Sequence, residues 1–149
     1  MSNAKHVRLR RRRFVGITTA LVAIAPLSAA GAATTAPFIT IIVSSDSITL
    51  TQASTKAGVV AFELVTGGTD AHEIDIVRTD LDAGALPLKK NKQFNERAKG
   101  VVVVKEAVKV ASGGRKLFSA KLTPGNYVLA DNLPGHYGRG EHVALLVTK

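Results

Sequence analysis

Short apolar segments separated by glycine and proline dominate the chain after residue 37. In one of them, Val60, Phe62 and Leu64 alternate with Ala61 and Glu63, so an extended backbone places the large apolar side chains on one face. Many short strands with such turns are typical of an antiparallel β-sandwich or barrel. The predicted strands cover residues 38–43, 47–51, 60–64, 72–77, 101–104, 117–122, 127–131 and 142–147.

Residues 80–100 interrupt this pattern. They are polar and carry several lysines, among them Lys89, Lys90 and Lys92. We expect a long connection over the surface, with a short helix at residues 91–98 as an alternative. The charges indicate a solvated face, and a docking patch for an acidic partner is a second reading.

Residues 1–33 have the layout of a secretory signal peptide. Four arginines, Arg10 to Arg13, precede the apolar run 15–27 and the small residues 28–33. Arg11-Arg12-Arg13-Phe14-Val15 also fits the twin-arginine pattern, Arg-Arg-x-Phe followed by an apolar residue. We therefore expect a periplasmic or secreted protein, with residues 34–56 as a tether and the first strands. An uncleaved membrane anchor is the alternative, although the apolar run is short for a membrane span.

The basic character of the chain lies mostly in this leader. Residues 1–33 hold six of the 20 Lys and Arg and none of the 11 acids, so the remainder has a net charge of only +3. Aromatic residues make up 5% of the chain and tryptophan is absent. These values argue against a nucleic-acid-binding surface. The absence of cysteine rules out disulfides and thiolate metal sites.

The most informative motif is Asp131-Asn132-Leu133-Pro134-Gly135-His136, which is followed by Gly140-Glu141. It resembles the C-terminal copper-ligand loop of the cupredoxins, in which Cys-Asn leads to Pro-Gly-His and then to Gly-Met. Asp131 stands at the cysteine position and Glu141 at the methionine position. The resemblance is to the small exported plastocyanin- and sulfocyanin-like branch.

Three further segments extend this resemblance to residues 57–149. Residues 58–65 are similar to the strand before the first ligand histidine, and residues 67–73 to the loop that delivers it. Residues 122–127 are similar to the hairpin before the ligand strand. The resemblance implies a Greek-key β-sandwich of the cupredoxin type.

In the family, two histidines, a cysteine and often a methionine hold copper. Carried over by position, the ligand set becomes His72, Asp131, His136 and Glu141. Two imidazoles and two carboxylates suit Cu²⁺ or Zn²⁺, whereas Cu⁺ prefers sulfur. A blue-copper electron carrier is disfavoured, because its site requires a thiolate.

Each residue also has a plain structural reading. Strand alternation puts Asp131 on the core face with Tyr127 and Leu129, where a metal, His72 or His136 would satisfy its charge. Glu141 would otherwise be a solvated loop acid. His142 is expected to be exposed, with a ligand role only if the loop shifts. Near the first histidine, Glu73 and Asp75 are expected to be surface charges. Asp70 is expected either to stabilise the turn or to orient the side chain of His72.

These observations predict an exported, non-enzymatic cupredoxin-like domain that binds a divalent metal ion, copper or zinc. A metal-free structural or interaction module is the alternative, and electron transfer is a weaker one. An exported redox or metal-handling protein is the expected partner. No membrane span is expected in the mature form.

Overall fold

The computed structural model describes residues 36–149, which form a two-layered β-sandwich. The predicted signal peptide lies outside these residues. The elements are β1 (Phe38–Ser44), β2 (Ser47–Leu50), β3 (Ser54–Lys56), β4 (Gly58–Thr66), β5 (His72–Arg78), β6 (Val102–Val110), β7 (Arg115–Leu122), β8 (Gly125–Asp131), α1 (His136–Arg139) and β9 (His142–Thr148).

The strands form a four-stranded sheet, in the order β2-β1-β4-β7, and a five-stranded sheet, in the order β3-β9-β8-β5-β6. Both sheets are mixed, because β1 pairs with β4 in parallel and β3 pairs with β9 in parallel. The predicted β-sandwich is confirmed, although its sheets include two parallel pairs and are not antiparallel throughout. Segments 38–44 and 54–56 join strands that are distant along the chain, and a parallel pair needs such a long crossover.

The core lies between the inner faces of the two sheets. The alternation of β4 is confirmed, since Val60, Phe62 and Leu64 have no exposed surface. From the opposite sheet, Ile74 and Leu129 join the same apolar cluster. Burying each such side chain contributes about 1.5–3 kcal/mol, so the alternating pattern fixes which face of each strand turns inward.

The polar segment 79–101 covers part of the outer face of the five-stranded sheet. Residues 91–98 form turns and an isolated bridge, Leu88 with Phe94, rather than the alternative helix. Phe94 and Leu86 are buried against Val77 and Val128. Two apolar anchors therefore hold a segment whose charged residues face solvent.

Among residues 36–149, no helix has the length and apolar character needed to cross a membrane.

Candidate metal centre

The ends of β5, β8 and β9 bring the four candidate residues to one end of the five-stranded sheet. His72 begins β5, and Asp131 ends β8 opposite Ile74. Glu141 immediately precedes β9, and its carbonyl accepts a hydrogen bond of 3.0 Å from the Asp131 amide. Continuation of the strand ladder beyond β8 and β9 therefore sets these carboxylates side by side.

A tight turn delivers the fourth residue, His136. Residues His136–Arg139 form a single helical turn between two glycines in the left-handed region, Gly135 with φ 87° and Gly140 with φ 114°. A Cβ at Gly140 would lie 2.9 Å from the carbonyl oxygen of Asp46. Glycine is therefore required here both for the backbone conformation and for space.

The four side chains meet through one atom each. Nδ1 of His72 lies 2.8 Å from Oδ2 of Asp131 and 3.1 Å from Oε2 of Glu141. Nδ1 of His136 lies 3.1 Å and 3.0 Å from the same two oxygens. All four atoms lie within 4.8 Å of one another. The sequence resemblance thus selected three residues of one loop and a fourth, His72, that is 59 or more residues away along the chain, and all four converge in space.

The cluster is almost closed to solvent. Asp131 and Glu141 are 0% exposed, His72 is 1% exposed and His136 is 9% exposed. The predicted core-facing orientation of Asp131 is confirmed, since Tyr127 and Leu129 are buried on the same strand. The reading of Glu141 as a solvated loop acid was wrong, because the turn folds its side chain inward.

Burial sets the electrostatics of Asp131. Removal from water raises the pKa of its carboxyl group, and the nearby Glu141 acts in the same direction. The Leu133 amide and the two histidines oppose this rise. Two acidic side chains at 0% exposure need nearby positive charge or hydrogen-bond donors, and Arg139 supplies one such partner to Glu141.

The distances suit a divalent ion. Bonds of about 2.0 Å from one ion to four ligands put neighbouring ligand atoms about 3.3 Å apart in a tetrahedron and about 2.8 Å apart in a square. The four N···O distances span 2.8–3.1 Å. The same distances also match hydrogen bonds or ion pairs between each Nδ1 and the two oxygens that it faces, which is the metal-free alternative.

Each carboxylate offers one oxygen to the cluster and has the other held by the protein. Oδ1 of Asp131 accepts a 2.9 Å hydrogen bond from the Leu133 amide. Oε1 of Glu141 accepts a 2.7 Å hydrogen bond from Nη2 of Arg139. Nε2 of His72 is buried without a partner in the described residues, so contacts at Nδ1 orient that ring.

Nearby residues depart from their predicted places. His142 is half-buried, not exposed, and its ring packs 4.9 Å from that of Tyr137, outside the cluster. Asp70 reaches Arg139 at 3.5 Å, and no contact with His72 supports the predicted alternative role. Glu73 is partly covered and pairs with Lys109.

Asp75 was predicted to be a surface charge and is 2% exposed. It does point away from the core, but segment 79–101 and the neighbouring strand β6 cover that side of the sheet. Its Oδ1 accepts a 2.6 Å hydrogen bond from the amide of Ala107, which has a φ of 51° at an irregularity of β6. Burial raises the pKa of Asp75 to about 6.

The sequence analysis missed the contact between Arg139 and Glu141, although a signal was available. A basic residue that is separated by one glycine from a candidate ligand lies within reach of that ligand in a tight turn. It missed Asp75 because alternation tells which way a side chain points but not what covers it. The apolar residues Leu86 and Phe94 within the polar segment were the hint that this segment packs on the sheet.

Comparison with known proteins agrees with this architecture. An auracyanin from Roseiflexus castenholzii is 18% identical, with a TM-score of 0.50 over 76% of this chain and 98% of that protein. Auracyanin A from Chloroflexus aurantiacus, described as a blue copper protein, is 16% identical, with a TM-score of 0.51 over 74% of this chain and 99% of that protein. Rusticyanin from Thiobacillus ferrooxidans is 14% identical, with a TM-score of 0.54 over 76% of this chain and 79% of that protein.

No protein-family model matches the chain, and no curated protein matches it by sequence. The structural likeness is therefore one of fold. Taken with the two mixed sheets and the converging ends of β5, β8 and β9, it shows that residues 36–149 have the cupredoxin fold, with carboxylates where the sequence resemblance places the sulfur ligands.

Proposed function

We propose that this protein binds a divalent metal ion, with Cu²⁺ as the first choice and Zn²⁺ as the second, through His72, Asp131, His136 and Glu141. One observation carries the proposal. Two imidazole nitrogens and two carboxylate oxygens, all buried, lie within 4.8 Å of one another, and their four N···O distances of 2.8–3.1 Å suit neighbouring ligands of one ion.

The chemistry of the ligands favours the oxidised state of copper. Nitrogen and oxygen donors suit Cu²⁺ and Zn²⁺, whereas Cu⁺ prefers sulfur, and the chain has no cysteine. Copper comes first because structural neighbours on this fold are copper proteins. A bound divalent ion would neutralise the two buried carboxylates while both imidazoles remain neutral.

The proposed role is to hold or deliver a metal ion outside the cytoplasm, without catalysis. Electron transfer of the blue-copper kind is not part of it, because no thiolate tunes the potential or carries the electron. The signal-peptide pattern in residues 1–33 supports a periplasmic or secreted place of action, and a metal-handling protein is the expected partner.

Calorimetric titration of the purified protein with Cu²⁺, and separately with Zn²⁺, tests the proposal. We expect one ion per chain and micromolar or tighter binding. Asp131→Asn keeps the shape of the side chain but removes its charge, and should weaken binding by more than about 100-fold, since loss of an outer partner alone costs 10–100-fold. Asp75→Asn is the matched control, a second buried aspartate outside the cluster, and should bind as the wild type does.

A second matched pair separates the histidines. His136→Gln should lose the ion, while His142→Gln, six residues further along the chain and outside the cluster, should retain it. If the wild-type protein binds neither ion, the cluster is a metal-free network of ion pairs and hydrogen bonds, and the structural or interaction module becomes the better reading. If Asp131→Asn binds as tightly as the wild type, the ion is held elsewhere.

A further inference from the structure

Arg139 is the last residue of α1 and reaches back to the candidate metal centre. Its Nη2 lies 2.7 Å from Oε1 of Glu141, and its Nε lies 3.3 Å from the same oxygen. The Glu141 side chain is fully buried, whereas that of Arg139 is 44% exposed. One end of the guanidinium is therefore drawn to a buried carboxylate while the rest remains hydrated.

Because of this contact, the two carboxylate oxygens of Glu141 have different partners. Oε2 faces the imidazoles of His72 and His136 at 3.1 Å and 3.0 Å. Oε1 is occupied by Arg139, and charge-assisted hydrogen bonds of this kind are short and directional. Rotation of the carboxylate to present both oxygens to the cluster would break them.

The same group links two segments that supply candidate ligands. Nη2 of Arg139 also lies 3.5 Å from Oδ2 of Asp70, two residues before His72. Asp70 is 46% exposed, so this second contact is weaker than the one to the buried acid. Arg139 thus spans from the loop before β5 to the residue before β9.

Asp131, like Glu141, directs only one of its two carboxylate oxygens toward the imidazoles of the cluster. Its Oδ1 is held by the Leu133 amide and its Oδ2 faces both imidazoles. The Leu133 amide therefore holds the second oxygen of Asp131, as the Arg139 side chain holds the second oxygen of Glu141. Two carboxylates with one oxygen each, plus two imidazoles, make four donors.

We infer that Arg139 is a positioning residue that holds Glu141 as a one-oxygen ligand and so keeps the bound ion four-coordinate. The inference rests on the proposed function. Four-coordinate nitrogen and oxygen sites suit Zn²⁺ and Cu²⁺, whereas Mn²⁺ and Mg²⁺ favour six oxygen ligands. Arg139 would therefore act on which metal is held as well as on how tightly.

The test uses the whole purified protein with Cu²⁺ and three variants. Arg139→Gln removes the charge and the forked donor, and should lower the affinity for Cu²⁺ about 10–100-fold. It should also change the electron paramagnetic resonance spectrum of the bound Cu²⁺, because the freed Oε1 can enter the coordination sphere. Arg139→Lys keeps a positive charge and should recover part of both properties.

Arg97→Gln is the matched control. Arg97 is exposed, and its side chain makes no hydrogen bond or ion pair with residues 36–149. The substitution is chemically the same, and both the affinity and the spectrum should match those of the wild type. A general effect of lost positive charge would instead appear equally in both variants and would overturn the inference.

Two further results would count against a positioning role. The first is an Arg139→Gln variant with unchanged affinity and unchanged spectrum. The second is a loss of affinity with an unchanged spectrum and an equal loss of thermal stability, which identifies Arg139 as a structural residue only. Failure of the wild-type protein to bind Cu²⁺ or Zn²⁺ at all is a different outcome, because it removes the proposed function itself.

Discussion

Three carboxylates, those of Asp75, Asp131 and Glu141, are each at most 2% exposed. Their surroundings differ. Asp131 and Glu141 face two imidazoles and each other, whereas Asp75 has one backbone donor and no ion pair within the described residues. A buried acid without a cationic partner is costly in its charged form. The charged form of Asp75 therefore lowers the stability of the folded protein. Asp131 and Glu141 are instead the proposed metal ligands.

Replacement of Asp75 should produce a stability gain that depends on pH. The pKa of Asp75 in the folded protein is raised to about 6 from the usual 3.8, so the folded state binds the proton more tightly than the unfolded state. The contribution of Asp75 to wild-type stability is then fully present below about pH 4 and is lost as the pH rises through about 6. Asp75→Asn lacks this loss, and should be more stable than the wild type by about 1–3 kcal/mol at pH 7 and equal to it near pH 4.

Urea unfolding at pH 4, 5, 6 and 7, with a chelator present, measures this difference. The candidate metal ligands are the same in both proteins, so their own titrations cancel. A stability gap that does not change with pH, or a variant that is weaker at pH 7, would contradict the assignment of a buried, unpaired carboxylate at position 75.

Copper-loaded protein should lack intense blue absorption. The chain has no cysteine, so no charge transfer from a thiolate to Cu²⁺ is available. Absorption spectroscopy of the protein titrated with Cu²⁺ measures this. The double substitution Asp131→Cys with Glu141→Met is the positive control, since it restores sulfur at both altered positions. An intense blue band in the wild-type protein would contradict the proposed ligand set.

Among the elements, segment 79–101 and the turn at His136–Arg139 depend on each other. Tyr137 connects them, since its hydroxyl donates to the Ala83 carbonyl at 2.6 Å and accepts from the Leu86 amide at 2.8 Å. Its ring packs on Phe94 with the ring centroids 5.8 Å apart. The residue after candidate ligand His136 is thus the anchor of the covering segment.

Tyr137→Phe should loosen that segment selectively. It leaves the ring in place but removes the hydrogen-bond partner of one buried amide and one carbonyl, at a cost of about 1–3 kcal/mol. Hydrogen–deuterium exchange should become faster across residues 80–98 while the central strands β4 and β8 stay protected.

Tyr127→Phe is the control for this experiment. Tyr127 is also buried, and its hydroxyl bonds to the backbone of Thr123 in the turn before β8. Its substitution should lower overall stability without a local change in residues 80–98. Similar exchange maps for the two variants would show that Tyr137 does not anchor the covering segment.

For the whole molecule, the candidate centre joins the ends of three strands that are separated along the chain. His72 lies 59 residues from Asp131 and 69 residues from Glu141. These residues are adjacent only when the five-stranded sheet is formed. An ion that needs all of them binds the folded state and stabilises it.

Added Cu²⁺ should therefore raise the midpoint of thermal unfolding. A free concentration of 100 times the dissociation constant stabilises the folded state by about 2.7 kcal/mol. In a domain of this size, that corresponds to a shift of about 5–15 °C. Differential scanning calorimetry measures the shift, and Asp131→Asn should show almost none. Equal shifts in both proteins would mean that the ion acts at another place.

The sequence was sufficient for most of the architecture and for the choice of candidate residues. Alternation of apolar residues is a local property, and it located most of the strands and the inward face of β4 and β8. The spacing of Asp131, His136 and Glu141 within one loop is also local, so their resemblance to a ligand loop could be recognised. The sequence did not predict the short strand β3 or the parallel pairings, because strand pairing joins residues that are far apart along the chain.

Only the tertiary structure decided what surrounds each charge. Alternation correctly turned Asp75 away from the core, but the packing of Leu86 and Phe94 on the sheet decided that it is buried. Likewise, the sequence shows an arginine near Glu141, but the left-handed turn at Gly140 decides that the guanidinium meets one carboxylate oxygen. Burial and hydrogen bonding depend on which distant segments come together, and this explains why the sequence could select the candidate ligands but not the groups that hold them.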